Sequence, residues 1–173
     1  MLATVILVTI AIAPISLPSE NKSGSAGFNR SENTLPAEVR KILDTGDRFT
    51  LLSLDPKLVV AQTPDNSPNG TFHNYRVRRK IEIRTENGRD ELLRTLSKGI
   101  ADSDGMVAMC FNPRHGISAS LGNETVDLVI CFECLSIEVH GKVETNVLTT
   151  GSPARMFNRA LNAAAFPDTK PLR

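Results

Sequence analysis

The second half of the chain carries three cysteines and a histidine, which are residue types that bind zinc. Cys110 lies in MCFNPRHG, Cys131 and Cys134 lie in ICFECL, and His115 stands between the two groups. Together they form the pattern C-x4-H-x15-C-x2-C. Thiolate and imidazole groups are the usual ligands of tetrahedral zinc. One hypothesis is therefore a zinc centre formed by Cys110, His115, Cys131 and Cys134.

The strands expected around these residues argue against that centre. MVAMCF, GISASL and TVDLVICF alternate as neighbouring antiparallel strands would, with loops at 112–116 and 122–124. This register places His115 opposite Cys131, and it places Cys110 two strands away from Cys131, roughly 9.6 Å sideways. The four ligands then cannot share one ion. The same separation exceeds the Cα distance of about 7 Å that a disulfide can bridge.

Four states of the thiols remain open. They are a zinc site, a disulfide involving Cys110, thiol redox chemistry at the CFEC sequence, and inert buried thiols. Cys131 and Cys134 lack the glycine turn of zinc knuckles, and a redox-active pair usually begins a helix rather than lying in a strand. Inert buried thiols are therefore the favoured interpretation.

The predicted register brings a chemically varied cluster to one end of the sheet, around the loop Asn112–Gly116. Its members are Arg114, His115, Cys131 and Glu133. An Arg beside a Glu suits a ligand that carries a carboxylate or phosphate, or it forms a salt bridge that anchors the hairpin. A Cys beside a His could form an activated thiolate, but no third orienting group is apparent. The cluster is a candidate binding site rather than a catalytic one.

The long strand TVDLVICFECLSIEVH changes its pattern of alternation in the middle. Val126, Leu128 and Ile130 follow one phase, whereas Leu135 and Ile137 follow the other. A β-bulge at Glu133–Cys134 would restore a single apolar face. The alternative is a strand whose first half is buried on both faces.

The remaining segments predict an α+β fold. Helical spacing of apolar residues appears in TLPAEVRKILDTG, in RDELLRTLSKGIA and after Ser152-Pro153, whereas FTLLSLDP and YRVRRKIEIRT read as strands. In the second of these strands, Tyr75, Val77, Ile81 and Ile83 are expected on one face. Strands in succession with flanking helices predict an antiparallel β-meander sheet packed against about three short helices.

Composition and charge exclude several classes of function. The 173 residues include 20 Lys and Arg against 19 Asp and Glu, a formal charge of +1. A nucleic-acid partner is not expected, because binding to a polyanion relies on a basic excess. Five basic residues do cluster between Arg76 and Arg84, where a solvated strand edge is favoured over contact with an anionic surface. His73 and His140 read as separate surface residues.

The N-terminus predicts export or a membrane tether. Residues 2–17 are almost wholly apolar, but a helix over them would span about 24 Å, short of the roughly 30 Å hydrocarbon slab, and Pro14 interrupts it. Residues 1–18 therefore resemble a signal-peptide core or an anchor, through which the chain could associate with a membrane. The alternatives are a buried strand or a misassigned start. Residues 19–33 read as a flexible polar linker, and 34–173 as one domain.

The blocks RFTLLSLDP, CFNPRH, CFEC and LTTGSP resemble those of a set of small bacterial proteins that have no assigned activity. The similarity runs from about Thr34 to the C-terminus. Many of those proteins look exported or membrane-tethered, which implies the same for this chain. The resemblance also implies a family signature, formed by Cys110, Pro113, Arg114, His115, Cys131, Glu133 and Cys134.

These observations favour a non-catalytic, extracytoplasmic binding or interaction module with its site at the Asn112–Gly116 loop and no cofactor. The alternative is a zinc-binding or thiol-dependent enzyme that uses Cys110, His115, Cys131 and Cys134. The sequence favours the first, because it offers no complete set of catalytic groups.

Overall fold

The computed structural model describes residues 33–59 and 68–162, and the backbone of 170–171. The helices in these ranges are α1 (Ala37–Thr45), α2 (Glu86–Ala101) and α3 (Ala154–Leu161). The strands are β1 (Arg48–Leu58), β2 (Thr71–Phe72), β3 (Tyr75–Glu82), β4 (His115–Leu121), β5 (Glu124–Cys131), β6 (Ser136–His140), β7 (Thr145–Leu148) and β8 (Lys170–Pro171).

All the strands join one antiparallel sheet. Seven of them follow the order β2-β3-β1-β4-β5-β6-β7, and β8 pairs with β3. Strands β4 to β7 form a meander, and β1 lies between β3 and β4. The predicted α+β class, with an antiparallel meander and three short helices, is confirmed.

The main core lies between the helices and one face of the sheet, called here the inner face. Strand residues Phe49, Leu51, Ile117, Leu128 and Ile137 contribute to it and are at most 1% exposed. The opposite, outer face carries a second, smaller cluster formed by Leu52, Leu54, Tyr75, Val77 and Val129.

Helix α2 is confirmed, but it begins at Glu86, three residues before the predicted segment, so that Asn87 and Gly88 lie in its first turn rather than in a turn before it. The hydroxyl of Thr85 accepts a hydrogen bond from the backbone N–H of Gly88, which caps the first turn. Leu92, Leu96 and Ile100 then recur at helical spacing and are buried in the main core. The spacing of the apolar residues therefore predicts the buried face of this helix, whereas its cap and its first turn were not predicted.

Strand β3 differs from its predicted alternation. The register of its pairing with β1 shifts between Val77 and Arg79. Arg79 pairs with Ser53, but the next residue of β1, Leu54, pairs with Val77 and not with Arg78. This irregularity turns Val77 to the outer cluster while Ile81 stays in the inner core. The prediction that Tyr75 and Val77 share a face with Ile81 and Ile83 was therefore wrong.

The segment MVAMCF does not form a strand. Strand β1 takes its place beside β4, with Thr50 and not Cys110 opposite Ser118. The backbone N–H of Leu54 also bonds to the carbonyl of Arg114, which extends this pairing beyond β4. Six residues of β1, Arg48–Ser53, pair with β4.

The hairpin between β4 and β5 is one residue tighter than predicted. Leu121 pairs with Glu124 across a two-residue turn, in which Gly122 adopts a φ of 57°. His115 consequently pairs with Ile130 and not with Cys131. Since strand side chains alternate between faces, this shift places His115 on the inner face and Cys131 on the outer face.

The change of phase in the long predicted strand is a chain reversal and not a bulge. Cys131 pairs with Ser136, and the four residues Phe132–Leu135 form the turn between β5 and β6. Leu135 adopts a φ of 60°, a left-handed conformation that glycine usually supplies. The bulge predicted at Glu133–Cys134 is therefore wrong. The alternative is confirmed in part, because Leu128–Cys131 of β5 are buried on both faces of the sheet, although the strand ends at Cys131.

The described part of the chain begins with a buried residue. The side-chain amide of Asn33 donates to the carbonyls of Ile100 and Leu148, and its oxygen accepts from the N–H of Leu148 at 2.7 Å. The predicted anchor and most of the predicted linker lie outside the described residues. Among the described residues, no helix is long and apolar enough to span a membrane.

Candidate functional site

Cys131 and Cys134 form a disulfide across the turn between β5 and β6. Their Cα atoms are 5.1 Å apart, and both residues are at most 1% exposed. The backbone N–H of Cys134 lies 3.1 Å from Cys131 Sγ. The favoured interpretation of three inert thiols was wrong, because the turn brings these two sulfurs together. A disulfide involving Cys110 does not form, since the bond joins the other two cysteines.

Cys110 belongs to an exposed apolar segment beside this turn. Five consecutive residues, Met106–Cys110, are exposed, and this run is called here the apolar strip. Met106 is 66% exposed, Val107 54%, and Met109 fully exposed. Two hydrogen bonds hold the strip against the turn. The backbone N–H of Ala108 donates to the carbonyl oxygen of Cys134 at 3.1 Å, and the backbone N–H of Asn112 donates to Cys134 Sγ at 3.2 Å.

The loop Asn112–Gly116 continues from the strip and is tied to the turn by an ion pair. Arg114 Nε lies 3.3 Å from Glu133 Oε1, and both side chains are more than half exposed. An exposed pair of this kind contributes between about 0 and 1 kcal/mol. Its exposure leaves both charges accessible to a partner.

His115 is separated from this surface by the sheet. Its ring lies on the inner face, 5.1 Å from the ring of Phe132 and 5.8 Å from that of Phe157. Nε2 lies 2.9 Å from Asn158 Oδ1, and Nδ1 is buried without a hydrogen-bond partner. Burial lowers the pKa of His115, although the bond to Asn158 opposes this shift. His115 is therefore a core residue that cannot activate Cys131.

The lowered pKa makes stability depend on pH. Above the ordinary value of 6.5 the imidazole is neutral in both states. As the pH falls below that value, the unfolded chain binds a proton that the folded chain does not, so stability is lost until the folded pKa is passed. We expect the free energy of unfolding to fall between pH 7.5 and 5.5, and His115→Phe to reduce this slope.

Urea denaturation of both proteins at each pH checks this prediction. His73 and His140 are present in both proteins, so their contributions cancel in the comparison. Equal slopes for the two proteins would contradict the assignment of the pH dependence to His115.

The predicted zinc ligands are not brought together. Cys131 and Cys134 are bonded to each other, His115 lies on the other face of the sheet, and Cys110 is exposed. Within residues 33–59 and 68–162, no three His, Cys, Asp or Glu side chains are arranged to hold a metal ion. Of the predicted binding cluster, Arg114 and Glu133 meet, and Cys131 lies at the end of β5 just before the turn that carries Glu133, whereas His115 does not join them.

A second polar cluster, on the outer face, was missed by the sequence analysis. His73 Nε2 lies 2.9 Å from Asp127 Oδ2, and the His73 ring stacks on His140 with centroids 4.0 Å apart. Nε2 of His140 lies 3.5 Å from Glu138 Oε2. The pairing of Asp127 with His140 follows from the register of β5 and β6. His73 reaches them from the distant turn between β2 and β3, which no local pattern signals.

The turn that carries His73 is placed over the sheet by close packing. His73 and Asn74 adopt φ angles of 46° and 68°, which form a tight reversal between β2 and β3. The ring of Phe72 lies so close to Gly116 that a Cβ on that glycine would be 2.8 Å from Cε1. The two histidines are therefore neighbours and not the separate surface residues predicted.

Comparisons with known protein families, with curated proteins and with solved structures find no match for this chain.

Proposed function

We propose that this protein is a non-catalytic binding or interaction module that works outside the cytoplasm. Its contact surface is the apolar strip together with the exposed Arg114 and Glu133. The observation that carries the proposal is the run of five exposed apolar residues at Met106–Cys110.

A run of exposed apolar residues is unfavourable in water unless a partner covers it. Four or more consecutive exposed apolar residues favour aggregation and are retained chiefly where they bind a partner. Methionine side chains are flexible and polarisable, so they adapt to the shape of a partner surface. Met106 and Met109 supply this property here, and the backbone bonds of Ala108 and Asn112 keep the strip in place.

The charged pair beside the strip adds specificity. Arg114 and Glu133 lie at the rim of the apolar surface, where charges orient a partner and exclude wrong ones. A partner protein with an apolar patch and a flanking acidic or basic group would fit this arrangement.

The disulfide supports a location outside the cytoplasm. Structural disulfides persist in oxidising compartments and are rare in the cytosol of ordinary bacteria. The bond between Cys131 and Cys134 and the apolar residues 2–17 agree in this respect.

Site-specific photo-crosslinking in living cells tests the proposal. A benzophenone side chain at Met109 is expected to give a covalent adduct with an extracytoplasmic protein, and Met106→Asp in the same chain to abolish it. The matched control places the benzophenone at Arg94, an exposed position on α2.

Three outcomes would overturn the proposal. They are equal adducts at both positions, an adduct with a cytoplasmic protein, and an adduct whose added mass is that of a lipid. The circular dichroism spectrum and melting temperature of Met106→Asp should match the unsubstituted protein, because the side chain is exposed.

A further inference from the structure

The three cysteines belong to two segments that are bonded to each other, the apolar strip and the β5–β6 hairpin, and they are in two different states. Cys131 and Cys134 are joined and buried, whereas Cys110 carries a free, exposed thiol. The two backbone bonds described above involve Ala108 and Asn112, which lie two residues before and two residues after Cys110. Both bonds end on Cys134. The segment that is bonded to Cys134 at both of these positions therefore carries the free thiol between them.

We propose that these cysteines form an internal thiol–disulfide exchange site, in which Cys110 attacks Cys134. The attack makes a bond between Cys110 and Cys134 and releases Cys131. This activity does not depend on the proposed interaction of the apolar strip.

The position of the strip selects Cys134 as the target. Asn112 N lies 3.2 Å from Cys134 Sγ, and two residues of backbone span at most about 7 Å. The exchange requires this short segment to move until the Cα atoms of Cys110 and Cys134 are about 4.4 to 6.8 Å apart. Cys131 belongs to β5 and is held by its pairing with Ser136 on the neighbouring strand.

The step is balanced without an external oxidant. The Cys110 thiolate adds to Cys134 Sγ, the bond from Cys134 to Cys131 breaks, and its electron pair leaves on Cys131. The released thiolate takes up one proton, which replaces the one that Cys110 lost. The backbone N–H of Cys134 already points at Cys131 Sγ, and such a bond favours the thiolate as leaving group.

The exchange would give a buried disulfide access to solvent. The bond between Cys131 and Cys134 is shielded from an external thiol, since both residues are almost fully buried. After the exchange, one of the bonded sulfurs belongs to the exposed strip. An external thiol of the glutathione class can attack Cys110 there and release Cys134. This leaves a mixed disulfide between Cys110 and the external thiol. A second external thiol attacks the external sulfur of that bond, frees the Cys110 thiolate, and leaves joined to the first as their oxidised disulfide.

The rate of reduction tests this route. Full-length protein is incubated with reduced glutathione at pH 8, quenched with acid, alkylated and digested with trypsin. Trypsin separates Gly99–Arg114, which contains Cys110, from His115–Lys142, which contains both other cysteines. Cys110→Ser is expected to slow reduction of the turn disulfide about tenfold, because it removes the intramolecular nucleophile. Arg94→Ala, at an exposed position on α2 outside the apolar strip, is the control and should keep the original rate.

The bond that forms is identified with two further variants. After mild oxidation with diamide, Cys131→Ala is expected to link the two tryptic peptides through Cys110 and Cys134. Cys134→Ala is expected to leave both remaining thiols free. The proposal is overturned if Cys110→Ser is reduced as fast as the control. It is equally overturned if both variants link, if neither links, or if Cys110 only joins two copies of the chain.

Discussion

Phe157→Ala is expected to lower the free energy of unfolding by about 3 to 5 kcal/mol, the usual cost of removing a fully buried aromatic ring. Phe157 is 0% exposed and belongs to α3. Its ring meets those of Phe132 and His115 edge-on, with centroids 5.0 and 5.8 Å away. The variant therefore loses both buried area and the aromatic contacts that hold α3 over the sheet.

Urea denaturation at pH 7.5 measures this loss. Arg155→Ala is the matched control, because it lies in the same helix and is exposed, and it should change stability by less than about 0.5 kcal/mol. A loss below about 1 kcal/mol for Phe157→Ala would show that α3 does not pack as described.

Gly46→Ala is expected to cost about 2 to 3 kcal/mol through crowding. A Cβ at this position would lie 2.6 Å from the carbonyl oxygen of Ile42 and 2.7 Å from that of Ser120. Both are backbone atoms, so neither can move aside as a flexible side chain would. The glycine joins α1 to β1, and relief of the clash requires α1 to shift away from β4.

Thermal unfolding followed by circular dichroism checks this expectation. Gly151→Ala provides the control, because its nearest neighbour would be the carbonyl oxygen of Phe132 at an ordinary 3.5 Å. If both variants melt at the same temperature, the contact between the α1–β1 connection and β4 is looser than the structure shows.

The elements of this fold are predictable where the signal is local. Helix α2 follows from its repeating leucines, and β4 and β5 follow from their alternation, whereas β6 was predicted as a continuation of β5. The order of the strands is not local, because β1 pairs with β4 across more than sixty residues of chain. Alternation alone cannot choose between β1 and the segment before Pro113 as the neighbour of β4.

The candidate site depends on the length of single turns, which composition specifies poorly. Asn123 follows Gly122, and both a two-residue and a three-residue turn accommodate that pair, yet one residue decides which face His115 occupies. The turn Phe132–Leu135 contains no glycine, so its one sequence signal is the change in alternation, which a bulge explains equally well. Arg114 and Glu133 were predictable as neighbours, because both lie near ends of adjacent strands.

The side-chain amide of Asn33 hydrogen-bonds to the edge strand β7 in the way that the backbone of a neighbouring strand would. It exchanges a donor and an acceptor with Leu148, so both backbone groups of that β7 residue are occupied. An open strand is a template on which another molecule can add its own. Asn33 blocks this addition at one end of β7. The amide therefore helps to prevent two copies of the protein from pairing through their edge strands.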